Sequence, residues 1–165
     1  MPPDPRFPPL SPGQRKDFDS WLSGLRDGGY AGGSPEERDY QYRVAGYPEK
    51  EIPIDPIMSK NGTILADGVR SSDGMAVDAK YVREPGCGKT FRTLDKLQNA
   101  SLFRRQFLYS SDETELAKYM SAMEYPPNNG QLRGLEIDTN NPDSAPYWNA
   151  MMVAHGVKGY ARYVP

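Results

Sequence analysis

The chain has 165 residues, room for one domain and an appendage, and its formal net charge is −2 with 25% charged and 37% hydrophobic residues. Its 16 glycines and 16 prolines exceed average usage without reaching that of a disordered chain. A single cysteine, Cys87, and a single histidine, His155, exclude an intrachain disulfide and a Cys/His zinc centre, and leave any Ser-His or Cys-His hydrolase arrangement resting on His155 alone.

Residues 1–13 carry six prolines and read as an extended tether outside any core. They lack the basic, apolar and small-residue succession of a signal peptide, and no run in the chain approaches the roughly 20 apolar residues of a membrane span. A soluble protein without membrane contact, exported only by machinery outside this sequence, is therefore expected. A helix is predicted over 11–25, with Pro12 in its first turn and Phe18, Trp21, Leu22 and Leu25 along one face. The glycine-rich stretch 27–33 reads as a flexible joint, so residues 1–33 form an appendage and 34–165 the main domain.

Ser34-Pro35-Glu36-Glu37 is a helix start, with Ser34 as cap, Pro35 in the first helical position and Glu37 completing a capping box. This helix should end at Gly46, with Tyr40 and Val44 on its apolar face and Glu37 and Gln41 one turn apart beside it. Residues 51–58 alternate isoleucines, but Pro53 and Pro56 demote them to an irregular or edge strand. Asn61-Gly62 marks a turn, a strand follows over 63–69, Ser72-Asp73-Gly74 marks a second turn, and 75–82 is the next strand, together a three-stranded meander. Beyond a loop at 84–88, helices are predicted over 90–109 and from 110 or 111 to 125. A strand over 132–138, a helix over 143–155 and a strand over 159–164 complete the chain.

Charge is unevenly distributed along this order. From Lys80 to Arg105 seven cations face only Glu84 and Asp95, whereas from Gln106 to Ala145 seven acids face only Lys118 and Arg133. The first block can form a phosphate-facing patch, with Arg83, Lys89, Arg92, Lys96, Arg104 and Arg105 as candidate nucleic-acid contacts. Gly86-Cys87-Gly88-Lys89-Thr90 looks like the end of a phosphate-binding loop, but the full motif needs glycine where Arg83 stands, so no nucleotide cofactor is expected.

In the strand over 75–82, side chains alternate between faces, so Asp78 and Lys80 project together, about 7 Å apart along the strand. An acid and a lysine on an otherwise apolar central strand are costly to bury unless paired or metal-bound. Asp67, across the second turn, folds back alongside them. Taken singly, an Asp-Gly and an Asp-x-Lys are ordinary turn and strand features; their joint spacing, face and element order point to chemistry. With no Cys/His set available, a metal here takes oxygen ligands, which selects Mg²⁺, Mn²⁺ or Ca²⁺. Asp67 and Asp78, helped by the Ala79 carbonyl, are the candidate metal ligands. Lys80 is placed to orient or help deprotonate a metal-bound water and to offset transition-state charge.

Asp67 followed by Asp78-Ala79-Lys80 resembles the acid…(acid)-x-Lys signature of restriction-endonuclease-like, or PD-(D/E)xK, nucleases. The wider context is similar to the restriction-endonuclease-fold toxin domains of bacterial polymorphic toxins: Tyr-Gln in a helix before Val-Ala-Gly, a strand ending Asp-Gly, and Val-Asp-Ala-Lys. The resemblance covers about 34–165. It implies an α/β three-layer core with a mixed central sheet flanked by helices, and Mg²⁺-dependent (or Mn²⁺-dependent) hydrolysis of nucleic acid, DNA preferred. It also implies delivery into the cytoplasm of a target cell within a larger system, and a cognate immunity protein as partner. In that family a helical Glu supplies a further site residue, a position offered here by Gln41 or Glu37. A ribonuclease on the same fold and a non-catalytic binding module are the alternative expectations.

Overall fold

The computed structural model describes residues 4–29, 33–46 and 48–165, so parts of the predicted tether (1–3) and joint (30–32) lie outside the described residues. Its elements follow the predicted order. Helix α1 spans Pro12–Ser23 and α2 spans Pro35–Ala45. Strands β1 (Lys50–Pro53), β2 (Thr63–Ala66), β3 (Gly68–Arg70) and β4 (Met75–Lys80) come next. Short helices α3 (Leu94–Gln98) and α4 (Leu102–Arg104) lead through a π-helical turn, Arg105–Tyr109, into the long α5 (Ser110–Glu124). Strand β5 (Gly134–Thr139), α6 (Ser144–Ala154) and β6 (Gly159–Tyr163) close the chain. No helix among the described residues is long and apolar enough to cross a membrane.

Both N-terminal helices begin where capping chemistry places them. Ser11 Oγ accepts from the Gln14 amide while the Gln14 side chain accepts from the Ser11 amide. Ser34 Oγ accepts from the Glu37 amide, and Gly46, at φ 77°, lets the chain turn away after α2.

The predicted meander is replaced by two hairpins in separate sheets. Strand β1 pairs antiparallel with β2, Lys50 opposite Ala66, while β3 pairs antiparallel with β4, Gly68 opposite Val77. The predicted strand over 63–69 therefore breaks at Asp67, where the chain leaves one sheet for the other. Continued, the β3–β4 register would set Ala66 opposite Ala79, but Ala66 is already paired with Lys50 of β1, and the Asp67 carboxylate takes the Ala79 amide instead, at 2.8 Å. Side-chain substitution for a missing ladder bond is how an unpaired amide is satisfied at such a break.

The main sheet runs β3-β4-β5-β6. Strands β4–β5 and β5–β6 pair in parallel, which requires crossovers, supplied by α3–α5 and by α6. Residues paired across this register share a face. Ala76, Leu135, Ile137 and Ala161 face a core built with Leu116 and Tyr119 of α5 and Trp148 and Met152 of α6. The opposite face carries Val77, Ala79, Glu136, Asp138, Tyr160 and Arg162. Helix α2 lies against its β4 end, where Tyr40 meets Tyr81 at 5.8 Å between ring centroids.

Two further expectations are corrected. The N-terminal segment is no free tether: Phe7 is buried against Tyr160, the Leu10 amide donates to the Ser72 carbonyl, and Phe18 is fully buried. Its proline-rich composition concealed the Phe7 anchor, whereas Phe18 sits on the helix face expected to be apolar. The predicted helix over 90–109 is interrupted because the hydroxyls of Thr93 and Ser101 cap new starts, each accepting an amide three residues on.

Candidate functional site

At the C-terminal end of β4 the sheet opens into a cavity of about 890 Å³. Three groups of side chains line it. Asp67, Asp78 and Lys80 come from the hairpin, Glu37 and Gln41 from α2, and Glu115 and Trp148 from α5 and α6. The strand period does what the sequence implies: Lys80 Nζ lies 2.9 Å from Asp78 Oδ2. The same ammonium donates to Glu115 Oε1 at 2.6 Å and sits 5.4 Å from the centre of the Trp148 ring. Trp148 is itself buried, so it gives the lysine a fixed aromatic wall.

Burial sets the electrostatics. Asp78 is buried, and desolvation pushes its carboxyl above the ordinary range although the Lys80 charge opposes this. Glu115 is pushed up to about 7, by burial first and then by the Asp78 charge. Burial works against the charged form of Lys80, yet the carboxylates of Asp78 and Glu115 outweigh it and raise the pKa, so the side chain is an ammonium at neutral pH. Asp78 Oδ2 is a buried oxygen without a hydrogen-bond partner, because Lys80 approaches it as an ion pair outside hydrogen-bonding geometry.

The family of restriction endonuclease fold toxin 2 matches residues 36–158 of this sequence. The chain belongs to that family. Neither a curated protein nor a solved structure matches the chain. As a restriction endonuclease fold toxin, it has the mixed α/β architecture that the resemblance implied, and its family points to a nuclease toxin.

Within this toxin fold, each sequence-derived site residue has a definite place. Asp67 holds the break between β2 and β3, Ala79 gives it an amide, and Asp78 and Lys80 meet on one face. Gln41 and Glu37 line the cavity, but the Gln41 amide donates to buried Glu49 Oε1 at 2.7 Å. Of the six proposed phosphate contacts, Arg83, Lys89 and Arg92 line the cavity, while Lys96, Arg104 and Arg105 do not, standing on α3, α4 and the π-helical turn. Arg92 is also an internal brace: its guanidinium bonds both oxygens of buried Asp112, at 2.8 and 2.9 Å.

Glu115 is the residue that sequence reading missed. Its signal was an acid on the apolar side of a helix, one turn beyond Asp112 and one turn before Tyr119, both buried. Glu49 gave no periodic signal, standing just outside β1.

The donors suit a hard divalent cation, being carboxylate oxygens with one buried oxygen left without a hydrogen bond. Among the described residues no three acidic, cysteine or histidine side chains are gathered as a ready-made metal cluster. The Lys80 ammonium stands between Asp78 and Glu115, so a cation bound by Asp78 must compete with it for Oδ2.

Proposed function

We propose that the chain is a metal-dependent nuclease toxin that hydrolyses phosphodiester bonds, with DNA as preferred substrate. The observation that carries this reading is the Lys80 ammonium shared by Asp78 and Glu115 beside Asp67, in a cavity whose rim bears Arg83 and Lys89. Phosphate is drawn in by that rim. Asp67 and Asp78, with the Ala79 carbonyl, would hold Mg²⁺ or Mn²⁺. When bound, the ion supplies charge to polarise the phosphoryl oxygen and to acidify a water.

Lys80, kept cationic by its neighbours, offsets the negative charge that grows on the phosphoryl oxygens. Glu115 and Trp148 hold its ammonium at the cavity. Asp67 is anchored by the Ala79 amide, so its carboxylate keeps a fixed place next to β4. Glu37 and Gln41 flank the entrance, with Gln41 braced by Glu49. In its biological setting the domain acts inside a competing cell, delivered there by a larger system. A cognate immunity protein covers the basic rim in the producer.

The test is incubation with plasmid DNA and with total RNA, with Mg²⁺ or EDTA, beside Lys80→Ala. DNA degradation that needs Mg²⁺ and is lost in the variant is expected. Degradation in EDTA, or an undiminished variant, would sink the mechanism. Cleavage of RNA alone would make it a ribonuclease, and inertness toward both would make it a binding module.

A further inference from the structure

Beyond the cavity, the chain from Phe91 to Leu108 presents aromatic side chains to solvent. Phe103 and Phe107 are 70% and 63% exposed, one helical turn apart, with ring centroids 4.8 Å from each other. They line a groove of about 560 Å³ with Phe91, Ser101, Arg104 and Leu108. The groove adjoins the candidate site: Phe91 lies between Thr90 and Arg92, both of which line the cavity.

Cations accompany these rings. Lys96 Nζ sits 5.0 Å and the Arg104 guanidinium 4.9 Å from the centre of the Phe91 ring. Both donate to neutral backbone carbonyls, Lys96 to Gly88 at 2.7 Å and Arg104 to Asn99 at 2.9 Å, so these bonds leave their charge uncancelled. Phe91 thus organises two cations, while Phe103 and Phe107 keep open ring faces. Open rings beside uncancelled positive charge match a polyanion whose bases are free to stack. A duplex satisfies the cations but buries its bases within its own stack, leaving the rings without partners.

We propose that this face binds unpaired nucleotides of the substrate, with Phe103 and Phe107 stacking bases while Lys96 and Arg104 hold the adjoining phosphates. Single-stranded or locally opened nucleic acid is then the preferred substrate class of the cavity. This rests on the nuclease reading above.

The test is fluorescence anisotropy in EDTA, with a labelled single strand of about 12 nucleotides and its duplex, on the full chain and on the double variant Phe103→Leu/Phe107→Leu. Leucine keeps apolar area and removes the aromatic face, and both positions are exposed, so the fold is retained; thermal melting checks this. The wild type should bind the single strand at least about tenfold more tightly than the duplex. The variant should lose at least about tenfold on the single strand and less than about twofold on the duplex. Equal losses on both, or none on the single strand, overturn the proposal; the latter leaves the rings as a protein-docking patch. Cleavage with Mg²⁺ is scored separately. Ring-dependent binding without cleavage would sink the nuclease reading alone, and cleavage with ring-independent binding would sink this one alone.

Discussion

Asp78 gives up water on nearly every side and regains chiefly an ammonium, so its carboxylate is harder to keep ionised in the fold than in the unfolded chain. Lys80 stands in the reverse position, since two carboxylates make its charge more favourable inside. Substituting the two therefore has opposite effects on stability. Asp78→Asn should abolish cleavage while leaving thermal stability unchanged or raised by up to about 1 kcal/mol, as expected where a charge is kept for activity. Lys80→Ala should abolish cleavage and cost about 2 to 3 kcal/mol, below the usual upper range for a broken buried pair because 24% of its side chain is exposed. Thermal denaturation of both variants checks the contrast, and a drop of similar size in Asp78→Asn would contradict it. The pair was legible in the sequence because a period of two leaves little choice about which side chains meet. Glu115 was not, since it reaches the site from a helix 35 residues after Lys80, and only the packing of α5 brings them within 2.6 Å. Gln41 was legible as a position near the site, but its bond to Glu49 was not, because that contact joins a helix to a loop.

At the level of elements, the break at Asp67 depends on a close approach that the Asp-Gly pair only hinted at. A side-chain carbon on Gly68 would sit 2.0 Å from the Ala45 carbonyl oxygen at the end of α2, and backbone cannot yield as a flexible side chain does. Gly68 thus lets α2 seat against the start of β3, beside the residue that bonds the Ala79 amide. Gly68→Ala should lower stability by about 1 to 3 kcal/mol, and should reduce cleavage as Asp67 is pushed from its place. Gly13, on the first turn of α1, has open space in that direction, and Gly13→Ala should be neutral or stabilising by up to about 1 kcal/mol. Urea titrations of both variants give the comparison, and equal stabilities would remove the role assigned to Gly68. The single strand read over 63–69 failed for this reason: alternation is local, whereas the exchange of partners from β1 to β4 depends on where α2 ends. The helix over 90–109 failed more simply, because Thr93 and Ser101 offered caps that apolar spacing alone does not weigh.

For the molecule as a whole, the sheet separates two polar systems, and only one opens into the candidate cavity. On the face opposite Asp78 and Lys80, Glu136 accepts from Arg70 at 2.6 Å and from Arg162 at 2.9 Å, as well as from the Tyr160 hydroxyl. Arg162 also donates to Asp138 at 2.9 Å, and Arg70 to Asp73. Three carboxyls thus meet two guanidiniums, with Tyr40 of α2 contributing a phenol nearby. Burial drives Glu136 upward, but the bonds from Arg70 and Tyr160 prevail and hold it below its ordinary value. Asp138 is raised, by burial first and by the neighbouring Glu136 charge, against the pull of Arg162, and its second oxygen is buried without a hydrogen bond. The sign follows from the direction. A carboxyl raised in the fold stabilises when protonated, so its contribution is complete below the ordinary carboxylate value of about 4 and is lost as pH climbs through the elevated one. Glu136 acts oppositely, and its contribution fades only as pH falls below that ordinary value. Asp138→Asn keeps an oxygen for Arg162 and adds a donor where the proton would sit. The variant should therefore lose less stability than the parent as pH rises from 5 to 8, the parent's extra decline reaching up to about 1.4 kcal/mol per pH unit over the titrating range. Glu115, also raised, leaves both proteins a shared residual slope, so the difference between the two urea-derived profiles isolates Asp138. Parallel profiles would show that Asp138 stays ionised across this range and that two arginines suffice to keep all three acids charged.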